Sequence, residues 1–216
     1  MIRTHSARAP AAPRALVAAL IVALSGSLLT GCEAILVGAA VMGTGMVVTD
    51  RRSPGIQLED QNITNKASTR AKELATLGRI NVSSYNRLVL ITGEVPTESD
   101  KAGVERAVAG VENVRGIVNE LAVMPNVGAT TWSSDSVLLG KIKASFVDAK
   151  DLQTNAFRVI VERGNVYLMG RVTQREADRA TEIARSVSGA QKVVQVFEIL
   201  TEEELAALGK AAQPKQ

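Results

Sequence analysis

Two side chains with nucleophilic or metal-binding chemistry occur only once in these 216 residues, Cys32 and His5. A Cys–His or Ser–His–Asp system needs an imidazole beside its nucleophile, and a zinc site needs several imidazole or thiolate ligands. One histidine at the extreme N-terminus and one cysteine supply neither, and no disulfide can close within the chain. Carboxylates remain, and Asp148, Asp151 and Glu162 are the candidates for hydrolysis. No pair among them has convincing general acid/base spacing. The residues therefore read as those of a non-enzymatic protein with no cofactor and no metal.

The neighbours of Cys32 assign it a different chemistry. Arg3, Arg8 and Arg14 open the chain with no acidic residue before Glu33, and an apolar, small-residue run follows from Ala15 to Leu29. That order is a secretory signal. Its apolar part, about 15 residues, is short of the roughly 20 that span a bilayer. The run ends in Leu29-Thr30-Gly31-Cys32, which resembles the bacterial lipobox. The resemblance implies removal of residues 1–31 as a signal peptide and acylation of Cys32, palmitate included. Each buried methylene contributes about 0.8 kcal/mol, so several chains anchor firmly. In lipoproteins of this kind an aspartate after the cysteine favours the inner membrane. Glu33 stands there instead, and the resemblance implies a lipid anchor in the outer membrane with the body facing the periplasm.

Removing the signal also removes the apparent basicity. Three of the 25 basic residues and none of the 22 acidic ones lie in residues 1–31, so the net charge of +3 becomes 22 against 22. Nucleic acid is not an expected partner. Residues 32–55 form a Gly/Ala/Val/Met segment containing Gly38, Gly43 and Gly45. It reads first as a flexible tether, with close helix packing in lipid through small residues as the alternative. Arg51-Arg52-Ser53-Pro54-Gly55 reads as the turn that separates tether from body.

The body is a duplication. Leu88-Val89-Leu90-Ile91-Thr92-Gly93-Glu94-Val95 recurs as Asn165-Val166-Tyr167-Leu168-Met169-Gly170-Arg171-Val172. Asp60 with Lys66 recurs as Asp135 with Lys141, and Gly110-Val111 with Val114 as Gly189-Ala190 with Val193. Each copy predicts a helix with an apolar stripe, Ile63, Ala67, Ala71 and Leu74 or Leu138, Ile142 and Phe146, with Asp60 or Asp135 favourably near its N-terminus. A strand pair follows, turning at Tyr85-Asn86-Arg87 or Arg163-Gly164-Asn165. A second helix, closed by Gly110 or Gly189, and a last strand complete the unit. Gly93 and Gly170, inside strands, are expected where backbone approaches closely, here from the crossing helix. Thr201 and Glu204 predict a capped C-terminal helix, with a disordered tail beyond Gly209.

This α-β-β-α-β unit resembles the BON domain, with its acidic-headed helix, "V-x-L-x-G-x-V" strand and "G-V-x-x-V" joint. The expected fold class is α+β: two tandem BON domains, each a small three-stranded sheet packed by two helices, at 56–124 and 135–200. Residues 125–134 are the expected linker and 201–216 the tail.

The copies differ in charge. Residues 58–124 hold 8 basic and 9 acidic residues, and residues 135–200 hold 10 and 8. The second copy is thus the better candidate to face an anionic surface. The resemblance to two-BON-domain lipoproteins implies the same: binding of anionic phospholipid through the first helix of the second domain and the adjoining segment. Mapped here, that surface comprises Trp132, Val137, Leu138, Lys141, Lys143 and Ser145. The resemblance also implies a role in outer-membrane integrity and in aiding the β-barrel assembly machinery. The alternative is a periplasmic protein-interaction scaffold near peptidoglycan or another envelope complex.

Overall fold

Residues 50–74, 78–125 and 129–211 are described by the computed structural model, and Cys32 and the 34–49 segment lie outside them. The first copy runs α1 (Pro54–Leu74), β1 (Arg79–Tyr85), β2 (Leu88–Val95), α2 (Glu98–Ala109) and β3 (Gly116–Val123). The second runs α3 (Ala129–Asp148), a single 3-10 turn (Thr154–Ala156), β4 (Phe157–Glu162), β5 (Asn165–Thr173), α4 (Gln174–Ser186) and β6 (Lys192–Leu200), and α5 (Glu202–Ala211) closes the chain. Each copy makes a three-stranded sheet with β2 or β5 at its centre, antiparallel to the strand before it and parallel to the strand after the helix.

Local chemistry sets these elements. Asn86 and Arg87 have φ of 49° and 65°, and Arg163 and Gly164 have 53° and 71°. Two successive positive φ values suit the right-handed twist of a tight hairpin. Thr97 and Thr173 cap α2 and α4, the latter in a complete capping box with Glu176. Thr201 and Glu204 make the equivalent exchange at α5, which continues past Gly209 to Ala211.

Successive strand residues face opposite ways, and the central strands are buried on both sides. Val89 and Ile91 pack under α1 and α2, and Val166 and Leu168 pack under α3 and α4. Leu90, Tyr167 and Met169 face the other way into one cluster with Tyr85 and Val196. The two sheets are therefore stacked back to back, in four layers of helix, sheet, sheet and helix. Burial pushes the Tyr167 hydroxyl up to about 12, so it stays protonated in the interface.

Several expectations are corrected. Asp60 and Asp135 sit in the second turn of their helices, past starts at Pro54 and Ala129. They serve the hairpins: Asp60 accepts from the amides of Asn86 and Arg87 at 2.8 and 2.7 Å, and Asp135 from those of Arg163 and Gly164 at 2.7 and 2.8 Å. Burial alone would raise the Asp60 carboxyl, but hydrogen bonds from Ser84, the Arg87 amide and Arg52 hold it below its ordinary value. The close neighbour of Gly93 is the preceding strand, and that of Gly170 the last residue of the 3-10 turn leading into the preceding strand, not the crossing helix. A Cβ on Gly93 would stand 1.9 Å from the Arg79 carbonyl oxygen, and one on Gly170 2.5 Å from that of Ala156. Leu74 ends its stripe exposed, because α1 runs out beyond the sheet it covers. Gly110 caps α2, but α4 is capped by Val187, two residues before Gly189. Pro54 and Gly55 are not a separating turn; proline opens α1, where its missing N–H costs nothing. Helix α3 begins at Ala129, inside the expected linker, and so includes Trp132.

Candidate functional site

Helix α3 has one buried edge and one broad exposed one. Leu138, Ile142 and Phe146 point into the second core, and at 3.6 residues per turn the opposite arc carries Trp132, Ser136, Val137, Gly140, Lys141, Lys143, Ala144 and Val147. Trp132, Val137 and Val147 are 69%, 58% and 68% exposed. Lys141 and Lys143 are also exposed; of the two carboxylates of the helix, Asp135 is buried on the hairpin, and Asp148, its last residue, is exposed and falls between Val137 and Lys141 around the helix. The arc is thus apolar and small through its middle, with a cation toward each side.

Five of the six expected contact residues lie on or beside this arc. Trp132, Val137, Lys141 and Lys143 are on it, and Ser145 is half-buried at its edge. Leu138 is not: it is 4% exposed in the core, because its four-residue spacing with Ile142 and Phe146 commits it inward. Val147 joins the arc unforeseen. Its signal was its place one residue after the end of that stripe, an apolar side chain out of register with the core.

Helix α1 offers no such face. Its exposed middle is Gln61, Asn62, Asn65, Lys66, Thr69 and Arg70, and Lys66 lies 3.9 Å from Glu112.

Beside α3 runs an open groove of about 940 Å³, between the first half of the helix, the β4–β5 turn and the α4–β6 joint. Val137, Lys141, Asn165, Ser188 and Gln191 line it. Asp135 closes one end on the hairpin amides, and the Gln191 amide donates to Gly164 O at 2.9 Å to hold the opposite wall. The groove has mixed polar and apolar walls and two lining cations, Lys141 and Arg163; Arg163 donates to Gly93 O and Glu94, and Lys141 adjoins the apolar arc.

Two of the three carboxylates considered for hydrolysis are otherwise employed, and the third, Asp148, is exposed at the end of α3. Glu162 is buried, accepting from Arg79 and, at 3.0 Å, from Asn81 of the first copy. Asp151 pairs with Arg179 at 3.1 Å. Among the described residues no group of three His, Cys, Asp or Glu side chains is placed to hold a metal ion, and no helix is long and apolar enough to cross a membrane.

A further set of charges joins the copies. Glu94, fully buried, accepts from Arg79 at 3.1 Å and from Arg163 at 2.6 Å. At the other end of the interface Glu198 accepts from Asn86, Arg115 and Arg171. Arg158 donates to Ser84 O at 3.1 Å. Buried pairs return little net stability after desolvation; here they fix how one sheet lies on the other.

Comparison with known proteins agrees with the duplication. The BON domain model matches residues 59–125 and again 134–201. Outer membrane lipoprotein DolP of Haemophilus influenzae is 37% identical over 80% of this chain and 90% of its own length. The 21 kDa hemolysin of Actinobacillus pleuropneumoniae is 34% identical over 68% of this chain and 78% of its own. Among solved structures, CdsD, a structural protein of the type III secretion system of Chlamydia trachomatis, aligns with 71% of this chain and all of its own at 12% identity, with a TM-score of 0.28.

Proposed function

Because this chain belongs to the BON-domain family and carries two of its domains, we propose that it is a non-enzymatic envelope lipoprotein that binds anionic phospholipid through the exposed arc of α3. In this reading Cys32 anchors it in the outer membrane on the periplasmic side, and it supports the integrity of that membrane and aids β-barrel assembly. The observation that carries the lipid reading is the arc itself: Trp132, Val137 and Val147 exposed beside Lys141 and Lys143, with a single exposed carboxylate, Asp148, at the last residue of the helix.

A helix with one such face lies in the plane of a bilayer, its apolar residues at the headgroup–acyl boundary and its lysines among the headgroups. Trp132 brings an apolar body and a polar edge suited to that depth. The groove beside Lys141 gives a headgroup somewhere to sit. The anchor named in the first relative, an outer-membrane lipoprotein, supports the placement.

Chemical-shift mapping of residues 50–216 with phosphatidylglycerol micelles tests the lipid reading, with zwitterionic micelles as control. Shifts confined to α3 and the groove, and seen only with the anionic lipid, are expected; no shift with either sinks it and favours the protein scaffold. Deletion of the gene is expected to raise sensitivity to vancomycin and detergent, and unchanged sensitivity would remove the integrity role.

A further inference from the structure

We infer that Arg51 and Glu176 form a clasp that makes the second domain, not the first, the place from which the anchored end of the chain departs, and so turns α3 toward the leaflet. This rests on the lipid reading above. Covalent continuity alone predicts otherwise, since Asp50 leads through Ser53 directly into α1 of the first domain.

The two adjacent arginines grip different domains. Arg52 turns to the first: its Nη1 donates to Asp60 at 2.8 Å and its guanidinium lies 4.1 Å over the Tyr85 ring. Arg51 turns to the second. Its Nη1 donates to Glu176 Oε2 at 2.7 Å and to Arg171 O at 2.8 Å, and its Nη2 to Glu176 Oε1 at 2.8 Å and Gln153 Oε1 at 3.2 Å. Arg171 answers with a bond to Arg51 O at 3.1 Å. A two-pronged guanidinium–carboxylate pair fixes direction as well as distance, and this one is buried, 6% and 5% exposed.

The partners of Arg51 are the framework of the helical layer that presents the arc. Glu176 completes the capping box of α4 through the Thr173 amide at 3.0 Å, α4 packs on α3, and Gln153 follows α3 in the chain. Neither repeat requires the clasp, because residue 51 precedes both domain matches. Nor is it built for stability: Arg51 Nε is buried with no partner among the described residues, which costs part of what the pair returns. Its effect is orientation. With Arg51 docked, residue 51 is held to the second domain; with the clasp open, residues 50–52 are held to the body only through Arg52 and its bonds to Asp50 and Asp60.

Trp132 is the chain's single tryptophan and reports that orientation directly. The full lipidated protein is reconstituted in phosphatidylglycerol vesicles with brominated acyl chains, and in brominated phosphatidylcholine as control. The variant is Arg51→Ala with Glu176→Gln, which leaves no charge buried alone and keeps an acceptor for the Thr173 amide. Quenching of Trp132 in the native protein, reduced in the variant but still above the phosphatidylcholine control, is the expected result, while the unlipidated variant still binds phosphatidylglycerol micelles like the native body. Equal quenching in both proteins overturns the clasp and leaves the lipid reading standing. No quenching in the native protein overturns the lipid reading itself, and the clasp inference with it.

Discussion

Leu90 and Tyr167 hold the same position in the two copies, and both are 1% exposed in the one cluster that joins the sheets. The duplicated unit is thus also a pair of faces, each supplying the other's cover. Truncating either residue to alanine is expected to cost about 3 kcal/mol, as for other large core side chains. Denaturation in urea should remain one transition for both domains. Separate transitions in the native body would show that the interface does not couple them.

Asp60 and Asp135 predict a matched pair of effects. Asp60→Ala or Asp135→Ala strands two hairpin amides, and one buried unsatisfied donor costs about 1–3 kcal/mol. The Asp60 change should be the larger, since it also removes one of the two carboxylates that hold Arg52 and the acceptor of the buried Ser84 hydroxyl. Midpoints of thermal unfolding give the comparison.

Gly93→Ala should be more damaging than Gly170→Ala. Gly93 combines φ of +118° with the 1.9 Å approach to Arg79 O, whereas the Gly170 contact is 2.5 Å and its φ lies outside the left-handed range. The first change asks the hairpin to part and the backbone to strain; the second asks only for a shift. Equal losses of melting temperature would contradict this.

The pH profile follows from three carboxylates held by cations and hydrogen bonds. Burial alone would raise Asp60, Glu176 and Glu198, but their hydrogen bonds and cations hold each below its ordinary value. A depressed carboxylate stabilises the fold above its unfolded pKa, and that contribution fades as pH falls toward the folded one. Stability should therefore be flat near neutrality and decline below about pH 4, where unfolded Asp and Glu begin to protonate. A melting temperature that drops between pH 7 and 5 would point to other groups.

Lys141→Ala and Lys143→Ala should each weaken binding to phosphatidylglycerol vesicles about fivefold, from roughly 1 kcal/mol per lysine near an anionic surface. Added salt should reduce the difference. Trp132→Ala should weaken binding at every salt concentration, because its contribution is apolar. Vesicle co-sedimentation reads all three.

Much of the fold was legible because each copy announces itself locally. The Asn86-Arg87 and Arg163-Gly164 turns, the Thr201 cap and the Leu138–Ile142–Phe146 stripe are all written in nearby residues. The stacking of the sheets was not. A central strand buried on both faces reads as one apolar run, so nothing distinguishes Leu90, facing the second domain, from Val89, facing the helices. At the site, Trp132, Val137 and the lysines came from the family resemblance, and the structure places all four exposed on α3. Leu138 was misassigned because its membership of the core stripe was outweighed by its neighbours on the arc. Arg51 was invisible as a contact, since its partners lie more than a hundred residues away.

The two ends of the sheet stack differ in a way that bears on which copy can pair with which. Positions 94 and 171 are equivalent, yet one is glutamate and the other arginine; of positions 86 and 163, at the hairpin tips, the first is an asparagine that donates to Glu198, the partner of Arg171, and the second an arginine that donates to Glu94. Two second domains brought together would set Arg163 against Arg171, and two first domains would leave Glu94 without its Arg163. The copies have become lock and key rather than twins, so exchange of domains between neighbouring chains is open only to unlike partners, and neither copy can be replaced by a repeat of the other.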